Sequence, residues 1–193
     1  MATTAGPRDR LVAATVALIG EHGVAGTGLT ELLRESGTAR GSIYQHFPEG
    51  KDELVGASVR AAGAHTRQAI ASLRGLGDAA GVVRAVMRAT RDAALEEDLA
   101  RGCPVAAAAV SGPEYPTAVQ TAGEVFEGWA TELADVLAEV GVPQDSAASL
   151  ASLVISAFEG ALVQARATRS PAPLDAAAEQ LTRLASSYLP PRS

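Results

Sequence analysis

The sequence predicts an all-α protein of about nine helices, and three observations carry that prediction. Apolar residues recur at steps of three and four along the chain, and no alternation of apolar and polar residues lasts long enough to read as a strand. The 47% hydrophobic content comes mainly from Ala, Leu and Val, with aromatics at only 4%, a composition suited to close helix–helix interfaces. The 19 glycines and ten prolines fall mostly between periodic segments, where they stop helices.

Taken in order, residues 8 to 22 place Leu11, Ala14 and Leu18 on one face, with Val12, Val16 and Ile19 beside them. Gly23 is expected to close that helix as a left-handed cap. "TGLTELLRESG" gives a short helix with Leu29, Leu32 and Leu33 turned inward, ended by Gly37. After "GTARG" comes a second short helix over Ser42 to Phe47. Pro48, Glu49 and Gly50 punctuate, and Lys51 opens a long helix running to about Arg74. Residues 78 to 98 form the next, with Val82, Val83, Val86 and Met87 apolar. "GCPVAAAAVSGPEY" reads as a short small-residue helix stopped by Gly112 and Pro113. A longer helix carries Val119, Ala122, Phe126, Trp129, Leu133, Val136 and Val140, and Gly141 and Pro143 break it. Residues 145 to 169 carry Leu150, Leu153, Val154, Ala157, Phe158, Ala161, Leu162 and Ala165. Beyond "SPAP" a last helix carries Leu174, Ala177, Leu181, Leu184 and Tyr188. The expected division is residues 1–50 and residues 51–193.

Charge is unevenly placed. Residues 1 to 51 hold five basic and five acidic side chains, whereas the remainder supplies the whole net charge of −6. An acidic body on a neutral head is compatible with DNA binding when the few cations share a face. The single cysteine, Cys103, excludes an internal disulfide framework and fits a reducing compartment. No uninterrupted apolar run reaches membrane-spanning length, and the first residues lack a cleavable leader pattern. A cytoplasmic protein without a membrane partner is therefore expected.

Residues 29 to 47 combine an apolar-faced helix, a tight turn at Gly37 and a second short helix, the parts of a helix-turn-helix. At 100° per residue, Ile43 and Phe47 lie about 40° apart and define a buried face. The opposite face holds Gly41, Ser42 and Gln45, flanked by Tyr44 and His46. It is polar, compact and free of acid, as entry into a major groove requires. Arg40 stands where a guanidinium reaches guanine or phosphate. Lys51, at the start of the next helix, is placed to hold a backbone phosphate together with helix-end amides.

The stretch "GTARGSIYQHFPEGKDELV" resembles the DNA-binding signature of the TetR family of one-component regulators, commonly close to "GVSKGSLYHHFPSKEALF". The turn Gly, the basic residue, Gly-Ser, Tyr, His, Phe and the Lys opening the long helix all match. "PEGKDEL", "RGCPVAAAAV" and "FEGALVQARATRSPAPL" resemble the LmrA/YxaF-type branch. The sequence departs from the family at Ala39, where Ser or Thr is common and can cap the second helix; Thr38 is a possible substitute. Gln45 stands where histidine is common.

The resemblance implies a helix-turn-helix DNA-binding domain over residues 1–50 and a helical ligand-binding and dimerisation domain over residues 51–193. Its DNA-facing candidates are Thr27, Thr38, Arg40, Gly41, Ser42, Tyr44, Gln45, His46 and Lys51. It implies a largely apolar cavity. Candidates for its wall are Met87, Tyr115, Phe126, Trp129 and Phe158, with His65, Cys103 and Gln164 as polar anchors. It implies a homodimer, for which Leu150, Val154, Ala157 and Ala161 on one helix and Leu181, Leu184 and Tyr188 on the next are candidates. The partners implied are double-stranded DNA bearing a palindromic operator and a small hydrophobic effector that releases the protein as a repressor.

Catalytic and metal motifs are missing from the sequence. His22, His46 and His65 are too far apart for a local metal site. There is no Gly-rich phosphate loop, nucleophile elbow or His-Glu-x-x-His pair. Neither an enzyme nor a metal or other cofactor is expected. Two other readings stay open at this point: a helical ligand-binding protein that has lost specific DNA recognition, and an all-helical enzyme using the cavity.

Overall fold

The computed structural model describes residues 6–188. Among them the chain forms nine helices and no strand: α1 (Pro7–Gly26), α2 (Leu29–Ser36), α3 (Arg40–His46), α4 (Lys51–Ala71), α5 (Ala79–Glu96), α6 (Pro104–Ala109), α7 (Pro116–Glu139), α8 (Gln144–Thr168) and α9 (Ala172–Ser186). They fold into two compact units that are not consecutive in sequence. One comprises the chain to Ala64 with Cys103–Phe126, the other His65–Gly102 with the chain from Glu127 onward.

In the first unit α1 packs against α2, α3 and α6. Leu11, Leu18, Leu32, Ile43, Phe47 and Leu54, none more than 5% exposed, bring α1, α2, α3 and the start of α4 into one core. Burial of each such side chain contributes about 1.5–3 kcal/mol. Gly37 ends α2 as a left-handed cap at φ 60°, ψ 33°, and the Thr38 N–H donates to the Leu33 carbonyl. The Arg10 guanidinium crosses from α1 to donate to the Ser36 carbonyl at 3.1 Å.

Gly23 does not act as the expected left-handed cap. At φ 73° and ψ 172° it kinks α1, and the helix resumes to Gly26. The kink turns carbonyls of the last turn toward new donors: the Thr27 hydroxyl donates to Gly23 at 2.8 Å and the Lys51 ammonium to Val24 at 2.6 Å.

Within this unit the first half of α4 lies close against the first half of α7. Gly56 and Gly63 permit the approach. A Cβ on Gly56 would come within 3.0 Å of the Thr117 methyl, and one on Gly63 within 2.5 Å of a Val125 methyl. Arg60 reaches Glu124 and the Thr121 hydroxyl alongside them.

In the second unit α5 packs against α9 and α8, and α8 against α9. Asp78 caps α5 by accepting the Gly81 N–H at 2.6 Å. The core holds Val82, Val83, Met87, Leu133, Leu137, Leu150, Val154 and Leu174. Glu132 accepts from Arg67 and Arg74, and Arg74 also reaches Glu139. The hydrogen bond from Arg74, then that from Arg67, lowers the Glu132 carboxyl below its ordinary range, because both donors favour the charged form.

The turn after α5 puts Asp98 and Leu99 at φ 48° and 56°, a left-handed conformation disfavoured for residues with a Cβ. Burial of the Leu99 side chain, 5% exposed, offsets that cost. By length and mean hydropathy α8 resembles a membrane span, although it holds no unbroken apolar run of that length. Its inner face, including Leu150, Val154 and Phe158, is core in this fold.

Candidate nucleic-acid interface

The seven residues of α3 sort onto two faces. Ile43 and the adjoining Phe47 are each 1% exposed and anchor the helix to α1, α2 and α4 through the shared core. Arg40, Gly41, Tyr44 and Gln45 are exposed, and Ser42 and His46 are partly so. The helical wheel therefore separates anchor from outward face as the spacing predicts. No acidic side chain lies on α3. Tyr44 is 54% exposed, with its ring edge over Gly50, where φ is 79° and a Cβ would sit 3.8 Å from it. The arrangement offers a guanidinium, a phenol, an amide and an imidazole on a helix with a small N-terminal end. Those groups can donate to phosphates and to base edges.

Three neighbouring positions depart from expectation. Thr27 is 1% exposed, and its hydroxyl is committed to the Gly23 carbonyl, so its side chain points into the fold rather than to a DNA surface. Thr38 does not substitute for the missing cap at Ala39: its hydroxyl pairs with Ser36 at 2.8 Å, and α3 has no side-chain cap. Lys51 is half-buried and points inward. Its ammonium donates to Val24 and, at 3.2 Å, to the Tyr115 hydroxyl, and lies 5.1 Å from the Tyr115 ring centre. A cation that sequence reasoning passes over is Arg8, exposed at the start of α1 with its guanidinium 5.3 Å from the Phe47 ring centre. Its position near the end of α3 depends on tertiary packing.

The cavity candidates divide between the units. In the second, Met87, Trp129 and Phe158 are buried, and the Trp129 and Phe158 rings stand 6.2 Å apart, tilted by 41°. His65 and Gln164 are exposed, and the Gln164 amide donates back to the Gly160 carbonyl, so neither is placed as a buried polar anchor. In the first, Cys103 is partly exposed and its sulfur accepts the Ala106 N–H at 3.5 Å, while Tyr115 is engaged by Lys51. Phe126 is partly exposed.

The dimerisation candidates largely turn inward. Leu150, Val154, Ala161 and Leu181 are at most 6% exposed and belong to the chain's own core. Ala157 and Tyr188 are partly exposed, and Leu184 is 39% exposed. The open face of α8 is a different one: Ser149, Leu153, Ser156, Gly160, Val163 and Ala167, all exposed at steps of four and three. Leu153 and Val163 belong to no interface expected from sequence, although their spacing carries the signal. The inner stripe is the more apolar of the two.

Residues 11–57 match the model of the bacterial regulatory proteins of the tetR family, and residues 79–180 match the LmrA/YxaF-like transcriptional regulator C-terminal domain. An uncharacterised HTH-type transcriptional regulator of Mycobacterium tuberculosis is 35% identical, covering 97% of this chain and 98% of its own. The HTH-type regulator LmrA of Bacillus subtilis is 28% identical, covering 86% of this chain and 90% of its own. A TetR transcriptional regulator from Legionella pneumophila superposes with a TM-score of 0.85 at 22% identity, covering 96% of this chain and all of that one.

Proposed function

From the premise that the chain belongs to the TetR family of bacterial transcriptional regulators, with an LmrA/YxaF-like C-terminal domain, we propose that it is a homodimeric repressor released from a palindromic operator by a small hydrophobic effector. It is a DNA-binding transcriptional regulator, and the family consists of regulators rather than enzymes. Residues 1–50 are read as the DNA-binding part and residues 51–193 as the ligand-binding and dimerisation part, acting in the cytoplasm.

The observation that carries the DNA-binding reading is the outward face of α3. Arg40, Gly41, Tyr44 and Gln45 are open to solvent on a helix whose opposite side is locked by Ile43 and Phe47. Two such helices about one DNA turn apart, roughly 34–36 Å, enter successive major grooves. The effector reading is supported by the buried Met87 and by the Trp129–Phe158 pair in the second unit. The dimer reading is supported by the exposed stripe of small and apolar residues on α8. For an effector to release DNA it must bind the two conformations unequally, by a few kcal/mol.

The test is fluorescence anisotropy with a duplex enriched from a random-sequence pool by the full-length protein. Tyr44→Ala and Arg40→Ala are expected to weaken binding at least tenfold, with melting temperatures unchanged because both side chains are exposed. Equal affinity of the wild type for enriched and random duplexes would reject specific recognition. A screen for small apolar molecules that raise the melting temperature identifies the effector, since a ligand of the folded form stabilises it.

A further inference from the structure

The opening turn of α4 is committed inward on two sides, entirely within the first unit. Lys51 donates to the Val24 carbonyl, 27 residues back, and to the Tyr115 hydroxyl, 64 residues ahead. The next residue, Asp52, accepts the backbone N–H groups of Thr117 and Ala118, both at 3.0 Å. These are donors that the first turn of α7 cannot satisfy within its own helix. Two adjacent side chains therefore fasten the end of α1 and the start of α7 to one turn of α4. Nothing local in sequence demands this; each partner comes from a distant segment.

The same turn leads straight to the DNA-binding core. Leu54 lies three residues after Lys51 and packs in the cluster that holds Ile43 and Phe47, the anchors of α3. Further along α4, Gly56 and Gly63 leave no spare room between it and α7. The stretch Pro104–Ala109 forms α6, which packs on α1. The start of α7 is thus joined to α4 through Asp52, to the end of α1 through Tyr115 and Lys51, and through α4 to the core that anchors α3.

We propose that Lys51 and Asp52 are positioning residues that set the DNA-binding competence of α3 by joining it to the start of α7, and that Lys51 does not serve as a phosphate ligand. An ammonium has three donors, and Lys51 gives one to a carbonyl at 2.6 Å and another to a phenol. Two of its three donors are thus committed inside the fold, which holds the half-buried ammonium inward. The inference rests on the DNA-binding reading above and supplies it with a coupling element.

The experiment uses the full-length protein and the enriched duplex, comparing wild type with Tyr115→Phe, Asp52→Asn, Lys51→Ala and the double variant Lys51→Ala/Tyr115→Phe. Tyr115→Phe removes one hydroxyl and no charge. Asp52→Asn removes a negative charge, which by electrostatics alone would tighten DNA binding. Positioning predicts that each weakens binding several-fold and that the double variant is no weaker than Lys51→Ala alone. It also predicts that the slope of log affinity against log salt stays at the wild-type value. A phosphate ligand predicts instead that Lys51→Ala reduces the slope by about 0.9 for each phosphate no longer neutralised, with Tyr115→Phe binding as the wild type does. That result overturns the inference, as does tighter binding by Asp52→Asn. Tyr115→Phe, nearly isosteric, keeps the test decisive if Lys51→Ala fails to fold. A wild type that enriches no duplex would sink the DNA-binding reading and this one together; a wild type that does, with unaffected variants, sinks this one alone.

Discussion

Ala39 stands before α3 where a serine or threonine hydroxyl would accept an orphan N–H of the first turn, and it has no oxygen to offer. Thr38, one residue upstream, is taken by Ser36. Helix α3 therefore lacks a side-chain cap, with Ile43 and Phe47 as its anchors. Restoring the cap with Ala39→Ser should stabilise the protein by about 0.5–1 kcal/mol. For a chain this long that is a rise in melting temperature of about 1–4 °C, read by thermal denaturation. A lowered melting temperature would show that the Ala39 backbone cannot orient a capping hydroxyl. The gap at Ala39 is legible in the sequence, because the residue type settles it. The fate of Thr38 is not, because Ser36 reaches it only through the turn at Gly37. Lys51 divides in the same way. Its place at a helix start reads directly, but its direction depends on a Val24 carbonyl exposed by the kink at Gly23, and no spacing rule encodes that partner.

Among the elements, α4 and α7 show most clearly where periodicity informs and where it stops. The three-and-four spacing marks both helices, and the observed bounds, Lys51–Ala71 and Pro116–Glu139, follow the expected ones closely. Which residue of one meets which of the other is a tertiary fact. Gly63 inside a helix reads as a mild weakness costing up to about 1 kcal/mol against alanine. In the fold its missing Cβ is what admits Val125. Gly63→Ala should therefore destabilise despite its better propensity, since overpacking costs about 1–3 kcal/mol. In a Val125→Ala background the same substitution should become neutral or stabilising. A urea-denaturation double-mutant cycle checks this, and simple additivity would refute the close approach. The inner and outer faces of α8 make the companion case. Both carry apolar residues at helical spacing, and only packing against α5 and α9 decides that Leu150 and Val154 go inside while Leu153 and Val163 stay out.

For the whole molecule the fold class, the helix order and the helix-turn-helix are legible because they rest on local spacing and on one compact motif. Which stripe of α8 stays open is not, because a stripe of alanine and leucine looks alike whether it meets its own chain or another. The dimer interface proposed on α8 predicts that Leu153→Glu or Val163→Glu weakens pairing by at least about 2 kcal/mol, roughly thirtyfold in the dissociation constant. Such a variant should sediment as a monomer at concentrations where the wild type pairs, and operator affinity should fall with it. A wild-type protein that is already monomeric would dismiss the α8 face as the interface. The chain's basic side chains are 15 arginines and a single lysine, and that lysine is the one held between Val24 and Tyr115. An amine-selective acylating reagent consequently has one side chain to find in the entire sequence. Its rate of reaction reports, without any introduced label, how often that residue leaves its two oxygen partners.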